Sequence, residues 1–438
     1  MSGAKRCTAR SDPHACTRTK SAGPMGPAFV FGGQCENGGR VVLIGQQVTI
    51  VGAGIAGLAV ARALALRGAE VTVLEQAGAV AEVGAGLQVS PNGAVVLRAL
   101  GLGAALDAIS VRADAVALTD GLTGKVVTRL EVGRLRPDQG YHFVHRADLI
   151  DLLLKAAVGV GVTVRTGAAV QSVDLGGDAP RISLAPGAGP DILTPLLIGA
   201  DGLHSPVRAA LTGRVAPYFT RQVAWRALIP ETPGAPNVAE VHMGPGRHIV
   251  SYPLRGGRLR NIVAVQERET WAEEGWRHPA DPADLVRTFA DFSPRVQGWL
   301  GQVDTVWLWG LFRHPVARLW HRALPRGAAA ILGDAAHPTL PFLAQGANMA
   351  LEDAWVLAAS LASHDTPAAA LAAYQSARAG RSARIVDAAS RNARAYHLSG
   401  LTRAIAHAGL RMGGWVAPGL ALRRFDWLYA VDVTKGQA

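Results

Sequence analysis

The apolar positions after residue 46 follow a strand–helix–strand pattern. A short β-branched run at Gln47–Val51 leads into a glycine-rich turn, and an Ala- and Leu-rich stretch at 58–67 ends at Gly68. A second apolar run follows at Glu70–Leu74. Short continuous apolar runs are typical of buried parallel strands, and the stretch between them has the composition of a helix. The pattern predicts a β-α-β unit that opens an α/β domain.

The pattern changes again further along the chain. Alternating runs at 223–228 and 262–265 predict antiparallel strands, and a second strand–turn–helix block follows at 328–362. The predicted fold class is α/β: a Rossmann-like three-layer domain with an inserted antiparallel sheet and a helical C-terminal part. The expected boundaries are 1–45 for an N-terminal tail, 46–215 and 316–363 for the two parts of the α/β domain, 216–315 for the sheet and 364–438 for the helical region.

The first 45 residues differ in composition from the rest. They are rich in Gly, Ser, Thr and Arg, follow no apolar period, and contain all three cysteines: Cys7, Cys16 and Cys35. We expect a disordered tail or an over-long assignment of the start site, with a targeting peptide as the alternative. The cysteine positions exclude a disulfide framework, a structural zinc site and a cysteine nucleophile in residues 46–438.

The distribution of charged residues is uneven only in the N-terminal tail, residues 1–45. The chain has 44 basic and 33 acidic residues, and six of the bases but two of the acids lie in 1–45. The remaining charges are scattered, which argues against nucleic-acid binding but suits the attraction of anionic small molecules. No stretch is as apolar as a membrane span, which takes about 18 residues, so we expect a cytoplasmic protein, monomeric or homodimeric, without stable membrane insertion.

The strongest chemical signal is the turn between the first strand and the first helix. Its sequence is Gly52-Ala53-Gly54-Ile55-Ala56-Gly57. The first glycine allows a tight turn, the second lets the backbone approach a pyrophosphate, and the third lets helix and strand pack closely. Glu75, followed by Gln76, ends the second strand, where a carboxylate binds ribose hydroxyls and repels a 2′-phosphate. The motif predicts bound FAD or NAD rather than NADP.

Further segments distinguish FAD from NAD. They are Gly199-Ala200-Asp201-Gly202, Gly333-Asp334 and Gly346-Ala347-Asn348. An acid at a strand end far downstream can bind the ribityl hydroxyls of a flavin, and a helix that begins near Gly346 can stabilise negative charge on the reduced ring. A simple nicotinamide dehydrogenase needs neither element. We therefore predict FAD.

With these motifs the sequence resembles the FAD-dependent aromatic hydroxylases, the single-component flavoprotein monooxygenases of the para-hydroxybenzoate hydroxylase superfamily. The likeness within that group is to salicylate hydroxylase, 3-hydroxybenzoate 6-hydroxylase and 6-hydroxynicotinate 3-monooxygenase. It rests on the three fingerprints above and on the segments 83–92, 145–149, 224–227, 337–353 and 426–429. It covers roughly residues 46–433.

The resemblance implies a cofactor site and a mechanism. The α/β domain would bind FAD tightly but non-covalently, and the inserted sheet would form the substrate domain. Val83 and Arg146 would line the cofactor, with Arg146 at the pyrophosphate, and Val170 would pack near the adenine. Asp334 would bind the ribityl chain, and Gly346 with Ala347 would lie under the pyrimidine. NADH or NADPH would bind transiently and reduce the flavin, and O2 would then form a C4a-hydroperoxide that hydroxylates a phenol-like ring.

The sequence is less informative about the residues that bind the substrate. A deprotonated ring hydroxyl is hydroxylated faster, so a base should lie near the ring. The candidate bases are His242, His248 and His337, and the candidate ring contacts are Tyr218, Trp225, Tyr252 and Pro341. Each histidine could equally be a structural residue, and each aromatic could be plain sheet core. Pro341 stands where some relatives place a polar residue against the substrate, which weakens a transfer of 3-hydroxybenzoate specificity.

The sequence therefore predicts an FAD-dependent monooxygenase acting on a small aromatic or heteroaromatic carboxylate that is salicylate-, hydroxybenzoate- or hydroxynicotinate-like. Two alternatives stay open. A flavin oxidoreductase of the same fold could act without inserting oxygen, and a non-catalytic protein could keep FAD as a structural part. No metal is expected.

Overall fold

A computed structural model describes residues 43–80, 85–134, 137–270, 272, 274, 278–416 and 422–435. Val83 and residues 1–42 of the expected tail lie outside these ranges. Leu43, at the end of that tail, is 2% exposed and belongs to the main core. Leu43 therefore contributes to the folded core, although it falls within the expected tail.

The described residues form the following strands and helices. The strands are β1 (Gln47–Val51), β2 (Glu70–Leu74), β3 (Gly86–Val89), β4 (Ser110–Arg112), β5 (Ala115–Asp120), β6 (Val126–Leu130), β7 (His142–His145), β8 (Thr163–Arg165), β9 (Val170–Asp174), β10 (Arg181–Leu184), β11 (Ile192–Leu193), β12 (Leu196–Gly199), β13 (Tyr218–Pro230), β14 (Val238–Gly244), β15 (Arg247–Leu254), β16 (Leu259–Glu267), β17 (His278–Ala280), β18 (Val306–Arg313), β19 (His321–Leu324) and β20 (Gly327–Ile331). The helices are α1 (Ile55–Ala65), α2 (Pro91–Ala99), α3 (Gly103–Ile109), α4 (Arg146–Val158), α5 (Pro206–Thr212), α6 (Pro282–Thr288), α7 (Pro294–Leu300), α8 (Gly346–Ser363), α9 (Pro367–Tyr396), α10 (Gly400–Val416) and α11 (Asp426–Tyr429).

The first sheet carries the cofactor-type motifs. Its order is β19-β20-β12-β1-β2-β8, parallel except for the β19–β20 pair. Helix α1 is buried almost all round and packs against α4 and α8, which explains its Ala- and Leu-rich sequence. The small sheet β9–β10–β11 shares the same core through Leu175, Ile182 and Leu184. The predicted α/β class with layered packing is confirmed.

The second sheet has the order β17-β18-β13-β16-β15-β14-β5-β6. Most pairs are antiparallel, but β5 pairs with β14 in parallel, with Ala115 opposite Val238. Strands β5 and β6 come from the range expected to belong wholly to the first domain, so the sheet is larger than residues 216–315 suggest. Pairing with β5 satisfies the backbone groups along β14 that an open edge would expose.

The two faces of the second sheet have different surroundings. Helices α6 and α7 cover one face with Phe289, Phe292 and Trp299. The other face turns toward a cavity described below. In the part of the chain that the structure describes, no helix combines the length and the apolar character that crossing a membrane requires.

Candidate active site

A cavity of about 1250 Å³ is lined by both sheets. The carboxyl ends of β1 and β2 and the start of α8 line one part, and strands β13 to β16 and β18 line another. Residues of α9 and α10 complete its wall. Ligand sites at the carboxyl ends of parallel strands are the general rule for open α/β sheets.

The glycine turn forms the floor beneath β1, and its three glycines have different roles. Gly52 has a φ of +98°, and a Cβ there would lie 2.5 Å from the carbonyl oxygen of Ala200. A Cβ on Gly57 would lie 1.9 Å from the carbonyl oxygen of Gly52. Glycine is required at both positions, because a side chain would clash with these backbone oxygens. A Cβ on Gly54 would meet nothing within 4 Å, and Gly54 lines the cavity at the start of α1.

Glu75 is fixed beside this turn. Its Oε2 accepts a hydrogen bond from the Ala53 N–H at 2.8 Å, and its Oε1 accepts one from the Ala77 N–H at 2.9 Å. The side chain lines the cavity. Because both oxygens are oriented by backbone donors, the carboxylate has a fixed geometry and keeps further lone pairs for ligand hydroxyls.

Two aspartates add negative charge deep in the cavity. Asp201 accepts a hydrogen bond at Oδ2 from the Val207 N–H at 3.3 Å, while its buried Oδ1 has no partner among the described residues. Burial raises the pKa of Asp201 to about 6. Asp334 opens onto the cavity, and desolvation raises its pKa although His337 and Arg146 act in the opposite direction. Within the described ranges, the unpartnered Oδ1 of Asp201 lacks a hydrogen bond that a polar ligand could supply.

The start of α8 points into the same cavity. Gly346 and Ala347 line it, and the preceding Ala344 has a left-handed φ of +52°. Asn348 does not line the cavity, because its side chain bonds the Ser90 N–H at 3.0 Å and the Gln88 carbonyl at 2.9 Å. The amide therefore fixes the helix start to the β3–α2 connection. The N-terminal N–H groups of α8 create a positive potential beside the lining residues.

His337 lies behind this wall rather than in it. Its Nε2 bonds Asp353 on α8, which also accepts the Gly333 N–H at 3.0 Å and the Arg378 Nε at 2.7 Å. Burial alone would raise the pKa of Asp353, but the charges of His337 and Arg378 lower it. Arg378 also pairs with Glu352 at 2.6 Å. His337 thus ties the Gly333 turn to α8 and has no contact with the cavity.

The other part of the cavity is mostly apolar. Its wall from the second sheet is formed by aliphatic and sulfur-containing side chains together with one indole: Val241, Met243, Val250, Val263, Val265, Trp309 and Leu311. Arg226 lines it as well, with its guanidinium 5.0 Å from the centre of the Trp309 ring. A cation held on an aromatic face beside an apolar wall suits an anionic, planar ligand.

Of the three candidate histidines, His248 is the one that lines the cavity. Its ring is 1% exposed, and its Nδ1 lies 2.7 Å from Nε2 of His397 at the end of α9. Nδ1 of His397 in turn lies 2.8 Å from Oε1 of Glu267. Burial, and secondly the charge of His397, lower the pKa of His248 well below its ordinary value. Burial therefore favours the neutral form of His248.

A family model described as FAD binding domain matches residues 46–389. This chain belongs to the FAD binding domain family. The glycine turn, Glu75 and the start of α8 all lie in the matched range.

Individual relatives extend the comparison. The chain is 37% identical over 363 residues to the 3-amino-4-hydroxybenzoate 2-monooxygenase of Streptomyces cremeus, covering 80% of this chain and 88% of that protein. It is 34% identical over 371 residues to the 3-hydroxybenzoate 6-hydroxylase of Klebsiella oxytoca, covering 82% and 91%. The structure of Klebsiella pneumoniae HpxO with FAD and uric acid matches with a TM-score of 0.74 and 26% identity, covering 85% of this chain and 95% of HpxO. The prediction of an FAD-dependent monooxygenase is confirmed.

The residues present fit FAD. Gly54 leaves an open surface where a pyrophosphate can approach α1, and Glu75 stands where ribose hydroxyls can bond. Asp201 has a buried oxygen that a donor could satisfy, and Gly346 starts a helix whose dipole favours negative charge.

The expected cofactor residues divide into two groups in the structure. Those that line the cavity are Gly52, Gly54, Ile55, Ala56, Glu75, Gln76, Arg146, Val170, Asp201, Asp334, Gly346 and Ala347. Those that support its wall from behind are Ala53, Gly57, Gly333 and Asn348.

The expected substrate and catalytic residues are divided more sharply. His248, Tyr252 and Pro341 line the cavity. His242 and Trp225 lie on the opposite sheet face, where the His242 ring is 5.3 Å from the Trp299 ring and Trp225 belongs to the core under α6 and α7. Tyr218 is 59% exposed and lies away from the cavity. His242 and Trp225 are oriented by strand alternation, which turns neighbouring residues to opposite faces, whereas Tyr218 lies beyond an irregularity in β13 between Phe219 and Val223.

Sequence reasoning missed several lining residues. Arg226 follows Trp225 in the segment 224–227. Because neighbouring residues on β13 point to opposite faces, Arg226 lines the cavity and Trp225 does not. Tyr396 lines the cavity and His397 contacts His248, both from the end of α9. No local motif marks these two, because the end of α9 reaches the cavity only when the helix packs against the second sheet.

Proposed function

We propose that this protein hydroxylates a small aromatic carboxylate carrying a ring hydroxyl, using O2 and NADH or NADPH. The observation that carries the proposal is Arg226, which faces the apolar part of the cavity on the ring of Trp309. The two relatives compared above are named for hydroxybenzoates, which combine a carboxylate with a ring hydroxyl. A guanidinium pairs with such a carboxylate through two parallel hydrogen bonds.

The cavity residues named below have separate roles in the proposed reaction. FAD, when bound, supplies the redox chemistry that activates O2 at the expense of the nicotinamide. Glu75, Asp334 and the start of α8 hold the cofactor. Arg226 orients the substrate through its carboxylate, and the valines of β14 to β16 exclude water around the ring. Neutral His248 accepts the proton of the ring hydroxyl, which makes the ring more electron-rich.

The reductant is expected to bind transiently. One dinucleotide turn of the Gly52–Gly57 type occurs in the sequence, and FAD uses it. NADH or NADPH would therefore bind without a resident site of its own.

The test uses the purified holoenzyme with 3-hydroxybenzoate, 3-amino-4-hydroxybenzoate and salicylate, and with 3-hydroxybenzamide as the uncharged analogue. We expect an acid to stimulate NADH or NADPH oxidation with matching O2 uptake and a product 16 mass units heavier. O2 uptake that yields peroxide without product, or no stimulation by any acid, would refute hydroxylation.

Arg226→Gln tests whether Arg226 binds the substrate carboxylate. Removing a charge-paired guanidinium should lower kcat/KM for the acid by about 100-fold and that for the amide much less. Arg129→Gln is the matched control, since Arg129 is an exposed arginine on β6 of the same sheet that pairs with Glu131 at 2.7 Å. If the ratio of kcat/KM for the acid to kcat/KM for the amide is unchanged in Arg226→Gln, Arg226 does not bind the substrate carboxylate.

A further inference from the structure

Three titratable side chains form a continuous line from the cavity to the surface. Nδ1 of His248 is 2.7 Å from Nε2 of His397, and Nδ1 of His397 is 2.8 Å from Oε1 of Glu267. His248 lines the cavity, whereas the Glu267 side chain is 53% exposed. Both bonds have the length of good hydrogen bonds.

The Glu267 carboxylate determines which atom donates and which accepts in the His397–Glu267 and His248–His397 hydrogen bonds. An ionised Glu267 only accepts, so the His397 Nδ1 carries its proton and the His397 Nε2 is an acceptor. The His248 Nδ1 must then be the donor. This leaves the lone pair on Nε2 of His248, which is the form of the ring that can take a proton from a ligand in the cavity.

The backbone holds the three elements together. The Gly246 N–H, in the β14–β15 turn, donates to the carbonyl of His397 at 3.2 Å. The Glu267 N–H donates to the carbonyl of Gly246 at 2.8 Å. The end of α9, the start of β15 and the end of β16 are therefore joined at one point, and the line does not depend on a flexible loop.

The surroundings of His248 disfavour a resting charge. Its ring lies 5.7 Å from Phe342 and 5.1 Å from Tyr396, and burial raises the pKa of Tyr396 to about 12, so that phenol stays neutral. The adjacent Arg247 turns away to Asp291 at 2.7 Å. A proton that reaches His248 is thus favoured to move on toward Glu267.

We propose that His248, His397 and Glu267 form a proton relay that carries the ring-hydroxyl proton of the substrate to solvent. The substrate O–H bond breaks and its proton binds Nε2 of His248, while the Nδ1 proton of His248 moves to Nε2 of His397. The Nδ1 proton of His397 moves to Glu267 and then to water. The reverse sequence protonates the product oxygen and restores both tautomers. The relay rests on the proposed hydroxylation of a phenolic acid.

Proton release on ligand binding tests the relay without turnover. The oxidised holoenzyme is mixed at pH 8 in weak buffer containing a pH indicator dye with each ring-hydroxylated acid of the panel above, and with benzoate as the ligand that has no ring hydroxyl. We expect a release phase with the hydroxylated acid that benzoate lacks. Glu267→Gln and His397→Ala should slow this phase by about tenfold or more. Ligand affinity, measured from the flavin spectrum, should stay within about twofold.

Controls separate a relay from a merely structural histidine pair. Added imidazole should restore the release rate of His397→Ala, because it fits the space that the variant opens. Asp291→Asn is the matched control: Asp291 is also 53% exposed and bonds the neighbouring Arg247, but it lies outside the line. Release at the wild-type rate in Glu267→Gln and in His397→Ala would overturn the relay. If His397→Ala retains no FAD, the exposed Glu267→Gln decides alone. A wild-type enzyme that hydroxylates no acid overturns the proposed function and the relay together.

Discussion

The backbone N–H of Ala53 donates to Oε2 of Glu75 at 2.8 Å, which joins the glycine turn after β1 to the end of β2. The bond closes the glycine turn and fixes the orientation of the carboxylate. We propose that this carboxylate binds the ribose hydroxyls of FAD, so that one side chain couples cofactor affinity to the geometry of the turn.

Glu75→Arg should weaken FAD binding, because the carboxylate that bonds the ribose hydroxyls is replaced by a cation. We expect the FAD Kd to rise by at least about tenfold, since each bond to a charged group contributes roughly 1.5–3 kcal/mol. The measurement is the flavin absorbance per protein after desalting. Glu70→Arg is the matched control, as Glu70 is exposed at the other end of β2. A variant at Glu75 as yellow as the parent would contradict the assignment.

Gly57→Ala and Gly54→Ala should separate folding from binding. The Gly57 Cβ would lie 1.9 Å from a backbone oxygen, so Gly57→Ala should destabilise the fold by at least about 1–3 kcal/mol. Gly54→Ala meets nothing in the protein and should keep its Tm in the FAD-free state while losing FAD affinity. Thermal denaturation of FAD-free protein and FAD titration check the two. Equal losses of Tm in both variants would argue against separate roles.

His248→Gln and His242→Gln should differ although the residues lie on adjacent strands. We expect His248→Gln to lower kcat by about 100-fold or more, as loss of a general base does. His242→Gln should change kcat and KM by less than about twofold per folded holoenzyme, because its ring faces Trp299 away from the cavity. Steady-state kinetics with the acid that turns over provide the measurement. Equal losses of kcat would show that the cavity face has been assigned to the wrong residues.

Glu240 should make folding stability depend on pH in acid. Burial alone would raise its pKa, but bonds from His242 and Arg295 lower it to about 2 from an ordinary 4.5. Because the folded pKa is the lower one, its stabilising contribution is complete above pH 4.5 and is lost as pH falls toward 2. Glu240→Gln should be less stable than wild type at pH 7, and the difference in free energy of unfolding should shrink below pH 4.5. Urea denaturation measures it. A constant difference across this range would contradict the assignment.

The sequence by itself determined the local chemistry. The turn at Gly52–Gly57, the carboxylate at Glu75 and the helix start at Gly346 all follow from short-range pattern, because each depends on backbone conformation within a few residues. For the same reason the α/β class could be predicted from β1, α1 and β2.

Only the tertiary structure decided which residues of the second sheet face the cavity. Alternation along a strand defines two faces but not which one is covered, and here α6 and α7 cover the face of Trp225 and His242. The cavity face therefore belongs to Arg226 and to the valines beside it. His397 reaches His248 from the end of a distant helix. Such contacts form when separate elements pack together, and no sequence pattern records them.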